Sequence, residues 1–262
     1  METVSYRDHL NPWLIRPNTS VFFESSYALY SLRSAGIVVS SLKKILSEKD
    51  FAVLVTSSGK SPIGLYRQLF MTYKNAIDWK KVHVFQMDEY WGVPCNEINC
   101  MSKYLEDEFV KPLGITHYAH YFDKRGNLKT PLNSYESMIR KMGGIDLVVH
   151  GVGRNGHIGF NEPSTPWDSP TQKVTLTDST LVANFGTCDQ EIQKKYGYGV
   201  TLGLKILTEA KHALVLFSGQ MKNEITRKFL TESPTVDLPV TSVSLNKTLD
   251  CIIDMDSITI KL

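Results

Sequence analysis

Short, β-rich apolar runs alternate with helical patterns along nearly the whole chain, and this alternation restricts the fold more than any other feature. The runs are Phe51–Thr56, Val82–Met87, Asp146–His150, Ala213–Phe217, Val240–Leu245 and Cys251–Asp254. Between the arm and the first run, Ala28, Leu32, Ala35, Val39, Leu42 and Leu46 recur at three- and four-residue steps, which predicts an amphipathic helix from Ser25 to near Glu48. Further helices are predicted from Ile63 to Tyr73, Cys100 to Val110, Asn133 to Met142 (closed by Gly143 and Gly144) and up to about Leu230. Strands separated by helices imply an α/β fold with a Rossmann-like, doubly wound, largely parallel sheet. A single domain over residues 1–262 is expected, with residues 1–24 as an N-terminal arm or edge element. Residues 171–198 are polar and show no clear period.

Composition removes several function classes. Of 262 residues 42% are apolar and 21% charged, and the net charge is +2, so nothing argues for nucleic acid or a membrane surface as a partner. No apolar run approaches the ~18 residues of a membrane span, and no leader pattern opens the chain; a cytoplasmic protein is expected. Cys95, Cys100, Cys188 and Cys251 form no Cys-x-x-Cys pair and have no histidines at zinc-ligand spacing, so free thiols and no metal site are expected.

In a doubly wound sheet ligands bind beyond the carboxyl ends of the strands. Four unusual loops fall there and should converge: 57–62, 88–92, 151–163 and 218–222. The first, Ser57 to Pro62, joins a strand to a helix as a phosphate-holding unit would, with Lys60 adding charge, Ser61 suited to cap the helix and Pro62 to begin it. Asp88 and Glu89 end the next strand, Glu89 reading as a structural neighbour of the base. The third loop carries Gly151, Gly153, Gly156 and Gly159 with Asn155, His157 and Glu162; the fourth carries Lys222. Three prolines between positions 163 and 170 rule out regular structure there and suggest a lid or flap.

Gly151, Gly153 and Gly156 match Gly-x-Gly-x-x-Gly by count, but prolines follow where a helix should, so no dinucleotide site is expected; a P-loop and a nucleophile elbow are also absent. What remains is an anion cradle (Ser57 to Ser61), a carboxylate base (Asp88), a histidine acid beside a carboxylate (His157, Glu162) and a second lysine (Lys222). A phosphate handle with a base and an acid describes aldose–ketose proton transfer on a sugar phosphate.

Three motifs resemble the glucosamine-6-phosphate deaminase family: Phe85-Gln86-Met87-Asp88-Glu89-Tyr90, Gly153-Arg154-Asn155-Gly156-His157-Ile158-Gly159-Phe160-Asn161-Glu162-Pro163 and Leu216-Phe217-Ser218-Gly219-Gln220-Met221-Lys222. The resemblance runs from about residue 25 to 254, and the Asn-Glu-Pro ending separates it from 6-phosphogluconolactonases. Asn155, where the glucosamine enzymes carry aspartate, together with 199–204 and 227–231, is similar to the galactosamine-6-phosphate deaminase/isomerase branch. The resemblance implies conversion of an amino-sugar 6-phosphate, galactosamine first and glucosamine as the alternative, to a ketose 6-phosphate and ammonia, with no metal or organic cofactor. Asp88 is then the base between C2 and C1, and His157 the ring-opening acid, oriented by Glu162 and flanked by Asn155. Ser58, Gly59, Ser61 and Lys222 are the implied phosphate ligands.

The chain departs from the family pattern in three places. Asn155 removes one carboxylate from beside His157. Leu181 aligns with a phosphate-binding arginine, and Lys60 is expected to replace that charge. Few residues follow Asp254 where the hexameric glucosamine enzymes carry a longer segment, so hexamer assembly and allosteric control are not expected, and a homo-oligomer of another kind stays open. A phosphogluconolactonase-like hydrolase and a sugar-phosphate-sensing effector domain are the competing readings.

Overall fold

Five of the six apolar runs become strands of one parallel sheet, whereas 240–245 lies in a 3-10 helix that Pro239 opens. The computed structural model describes residues 10–94, 96–97, 99–122 and 132–259. The first nine residues of the expected arm and Cys95 lie outside them. In chain order the elements are β1 (Thr19–Glu24), α1 (Tyr27–Glu48), β2 (Ala52–Thr56), α2 (Ile63–Met71), β3 (Val82–Gln86), β4 (Asp88–Tyr90) and α3 (Met101–Leu105). A π turn (Glu106–Val110) leads to α4 (Lys111–Leu113), β5 (Ala119–His120), α5 (Leu132–Lys141), β6 (Leu147–Gly151), β7 (Gln172–Thr175), α6 (Asp178–Phe185) and α7 (Gln190–Tyr196). The chain closes with β8 (Tyr198–Thr201), α8 (Leu204–Thr208), β9 (His212–Phe217), α9 (Asn223–Thr231), a 3-10 helix (Pro239–Leu245) and β10 (Thr248–Asp254).

The main sheet runs β1-β10-β9-β6-β2-β3-β5, and its neighbours pair in parallel. Side chains alternate between its faces, and both faces are covered. Ala52 and Leu54 join Leu147, Val149, Leu214 and Leu216 under α1 and α2, whereas Val53 and Val55 join Val148, Ala213, Val215 and Phe217 on the side of α5, α8 and α9. Burial on both faces is why these strands read as continuous apolar runs. From β2 the chain steps outward to β3 and β5, then returns across β2 to β6 and proceeds outward to β9 and β10. The order therefore reverses between β2 and β6, and the crevice beyond their ends is the place for a ligand.

Of the expected arm, Thr19–Glu24 is an edge strand on β10. The polar stretch 171–198 holds β7, α6 and α7. Strand β7 joins β4 and β8 in a small antiparallel sheet over a separate core of Tyr90, Val93, Phe160, Leu176, Leu181 and Tyr196. Asp88-Glu89-Tyr90 is thus a short strand rather than a loop. The proline-rich segment is not a lid. Ser164 N–H donates to Val236 O, Lys205 N–H donates to Ser169 O, Leu204 N–H donates to Ser169 Oγ, and none of residues 164–170 lines the cavity described below. Among the described residues no helix is long and apolar enough to cross a membrane.

Candidate active site

The four strand-end loops meet, as their position requires, around an open cavity of about 740 Å³. Ser57–Ile63 after β2, Asp88 and Tyr90 on β4, Gly151–Arg154 with His157 after β6, and Ser218–Lys222 after β9 line it, and Ala183, Asn184 and Phe185 of α6 complete the wall. The two loops at the switch point are tied together where Gly151 N–H donates to Ser57 Oγ (3.0 Å). The loop after β9 is held by Asp254 at the end of β10, which accepts from the hydroxyls of Ser218 and Ser257.

At one end lies an anion cradle. Gly59 takes φ +144°, a backbone region open chiefly to glycine, and nothing lies within 4 Å of where its Cβ would be. Among the described residues the N–H groups of Gly59, Lys60 and Ser61 donate to nothing. Ser61 does not cap α2, whose N-terminus has Pro62 and no side-chain cap. Its Oγ instead accepts from Lys222 Nζ (2.9 Å), which leaves the Ser61 hydroxyl proton free to donate into the cavity. Ser58 Oγ donates to Met101 O, so its proton is committed elsewhere. Lys60 lines the cavity but is exposed.

The same wall carries Asp88, only 5% exposed, with Oδ1 lacking any hydrogen-bond partner among the described residues. Burial, reinforced by the neighbouring Glu89 carboxylate, pushes its pKa up to about 8. Glu89 is the expected structural neighbour. It is fully buried and accepts from the N–H groups of Tyr90, Met101 and Ser102 and from Gln86 Nε2, fixing the start of α3 beside the cavity.

The turn after β6 holds His157 from behind. Glu162 Oε2 accepts from Asn155 Nδ2 (2.7 Å), and Glu162 Oε1 accepts from the hydroxyl of Thr180 on α6. A carboxylate only accepts, so Asn155 must turn its amide nitrogen to Glu162 and its Oδ1 to His157 Nδ1, 2.8 Å away. The neutral His157 ring therefore carries its proton on Nδ1 and leaves Nε2 unprotonated. Glu162 Oε2 lies 3.7 Å from Nδ1, an electrostatic contact rather than a hydrogen bond. Burial would raise the Glu162 pKa, but the pull of His157, with Thr180 and Asn155 donating, holds it at about 2. Gly153 has to be glycine, because a Cβ there would fall 2.2 Å from the His157 ring. Asn161 is structural: its amide donates to the carbonyls of Ile158 and Leu202, tying the turn to β8.

The expected residues Ser58, Gly59, Lys60, Ser61, Asp88, His157 and Lys222 all line one cavity, with Asn155 and Glu162 behind His157. Sequence reasoning missed Thr180, Asn184 (whose amide donates to Tyr90 Oη, 2.8 Å) and the placement of Arg154 in the wall. A signal existed for α6, since Thr177 caps its start and Gly186, at φ +79°, ends it. Among the described residues no group of three or more His, Cys, Asp or Glu could hold a metal ion.

This geometry agrees with the comparisons. The model of the family described as glucosamine-6-phosphate isomerases/6-phosphogluconolactonase matches residues 29–252. The chain belongs to this family. Glucosamine-6-phosphate deaminase of Thermoanaerobacter sp. (strain X514) is 32% identical over 242 residues, covering 90% of this chain and 93% of the relative. Among solved structures of the family, a monomeric glucosamine-6-phosphate deaminase superposes with a TM-score of 0.82 at 29% identity, covering 91% of this chain and 98% of that one. A 6-phosphogluconolactonase from Thermotoga maritima shares the fold, with a TM-score of 0.71 at 20% identity over 89% of this chain and 98% of that one. The two deaminases carry the glucosamine name, so the galactosamine branch expected from Asn155 finds no support among these comparisons.

Proposed function

We propose that this family member deaminates and isomerises an amino-sugar 6-phosphate, with glucosamine 6-phosphate as the substrate and fructose 6-phosphate and ammonia as products. The observation that carries this reading is Asp88: a buried carboxylate whose Oδ1 has no partner among the described residues, on the wall of a cavity that also holds an anion cradle. A lactonase has no use for such a base. A base with its pKa lifted towards neutrality suits reversible proton transfer at carbon.

Lys222, the Ser61 hydroxyl and the free N–H groups of the 59–61 loop bind the phosphate, while the sugar ring extends towards Asp88 and His157. His157 Nε2, unprotonated in this tautomer, takes the C1 hydroxyl proton and passes it to the ring oxygen as the bond from that oxygen to C1 breaks, giving the open-chain aldehyde. Asp88 then removes the C2 proton while a proton passes from the C2 ammonium group to the C1 oxygen, forming an enolamine across C1 and C2, and Asp88 returns its proton to C1. This leaves an iminium at C2. Water adds there and ammonia departs, yielding the C2 ketone. Glu162 and Asn155 keep His157 in the tautomer that the first step needs.

The preference for the glucosamine epimer rests on the names of relatives that are about a third identical over nine-tenths of the chain. A coupled ammonia assay tests both levels of the proposal. Ammonia release from glucosamine 6-phosphate with a kcat/KM well above that for galactosamine 6-phosphate is the expected result. The reverse order would overturn the epimer, and hydrolysis of 6-phosphogluconolactone without ammonia release from either sugar would overturn the reaction.

A further inference from the structure

We propose that Arg154 is the second cation of the phosphate subsite, facing Lys222 across the mouth of the cradle and closing on the substrate's phosphate from the His157 turn. The inference rests on reading the cavity as a sugar-phosphate site and assigns its missing charge to a residue other than Leu181 or Lys60.

Position 181 cannot serve. Leu181 is 1% exposed, packs in the small core with Tyr90, Phe160 and Tyr196, and does not line the cavity. Three lysine or arginine side chains do line it: Lys60, Arg154 and Lys222. Arg154 follows the end of β6 at the switch point, and its backbone is fixed on both sides. Gly151 N–H is bound to Ser57 of the cradle loop, and Gly153 N–H donates to His157 O (2.9 Å). The Arg154 side chain makes no hydrogen bond or ion pair among the described residues. Lys222, aimed at the same place, has only the neutral Ser61 Oγ.

The two cations are close enough to act on each other. Burial first, and the Arg154 charge second, push the Lys222 pKa down to about 8. Two like charges that converge without a carboxylate between them repel while the site is empty, and a phosphate dianion relieves that repulsion. A guanidinium also offers phosphate two parallel N–H donors, which a lysine cannot. Arg154 shares its turn with Asn155 and His157, so a phosphate held there also tethers the turn that carries the ring-opening acid.

The test reads phosphate binding with and without turnover. Inorganic phosphate is titrated calorimetrically into wild type, Arg154→Ala, Arg154→Lys and Lys60→Ala, and KM and kcat are measured with glucosamine 6-phosphate. Loss of one charged phosphate contact should weaken phosphate binding and raise KM by about tenfold to a hundredfold in Arg154→Ala, with a smaller change in kcat. Arg154→Lys, which keeps the charge and loses the fork, should recover part of the loss. Unchanged phosphate affinity and KM in Arg154→Ala would overturn the proposal, as would a wild type that binds no phosphate, or losses confined to Lys60→Ala. Arg154-dependent phosphate binding by a protein that releases no ammonia would sustain this subsite and overturn only the proposed reaction.

Discussion

Asp88, on the cavity wall just past β3, and Glu162, behind His157 in the turn after β6, are both buried carboxylates, but one has a bare oxygen and the other is surrounded by donors. Asp88 is raised to about 8, by burial first and Glu89 second. Glu162 is held at about 2 against its own burial by His157, Thr180 and Asn155. Hydrogen-bonding partners, rather than depth, decide which carboxyl group keeps its charge. Under the proposed mechanism the division is functional: the group that must gain and lose a proton is left alone, and the group that must stay charged to orient a histidine is held. Glu89, adjacent to Asp88 and fully buried, is likewise met by donors, the N–H groups of Tyr90 and Ser102 among them.

Removing the bare carboxylate should have the largest effect. Asp88→Asn is expected to lower kcat by about 10²–10⁴-fold with the fold intact, and wild-type kcat/KM should rise with pH towards about 8, a limb absent from the variant. Its effect on stability runs the other way. A folded pKa raised above the unfolded value gives stability that is present below about 4 and lost as pH rises through about 8. The Asn variant should therefore gain on wild type between those values, measured as urea midpoints across the range. A pH-independent difference would show that Asp88 is not buried and bare in solution.

The held carboxylate should show the opposite slope. In Glu162→Gln the amide oxygen can still accept from Asn155 while its NH2 turns the Thr180 hydroxyl from donor to acceptor, so the contacts survive but lose the carboxylate's charge. A loss of about 1–3 kcal/mol near neutral pH is expected, with kcat down by roughly tenfold to a hundredfold as His157 loses its support. A depressed folded pKa gives stability that is present above about 4.5 and lost as pH falls through about 2. Wild type and variant should therefore converge in acid. Urea unfolding from pH 6 downwards measures it, and a gap that stays constant would mean Glu162 is not held in the charged form.

Much of this division is legible in the sequence, because it depends on local chemistry. Strands β2 and β6 read correctly since both faces are covered and the run is apolar throughout, and the glycines after β6 mark where backbone must come close to a ring. Strand β7 does not read, because its exposure alternates between intermediate and exposed over only four residues, and its partner β8 belongs to a small sheet that periodicity does not signal. Ser61 has the local chemistry of a cap, but its partner, Lys222, is 161 residues away. Thr180 and Arg154 escape for the same reason: each acts on a residue across a turn or from another helix, and a charge beside a glycine looks like any surface charge until the cavity is closed around it.

Asn155 should show the smallest effect, and it sharpens the comparison most. Its side chain is used up within the turn, donating to Glu162 and accepting from His157, and neither it nor Glu162 lines the cavity. Asn155→Asp would bring a second acceptor-only group to within 2.7 Å of the Glu162 carboxylate, so one of the two must take up a proton or move away. An acceptor stays beside His157 Nδ1 in this variant, so only a few-fold change in kcat is expected. A side chain that does not reach the cavity should leave the ratio of kcat/KM for glucosamine and galactosamine 6-phosphate within about twofold of wild type, since discrimination comes from contacts made in the transition state. Should that ratio invert instead, Asn155 reaches the sugar, and the turn after β6 selects the substrate as well as holding the charge behind its histidine.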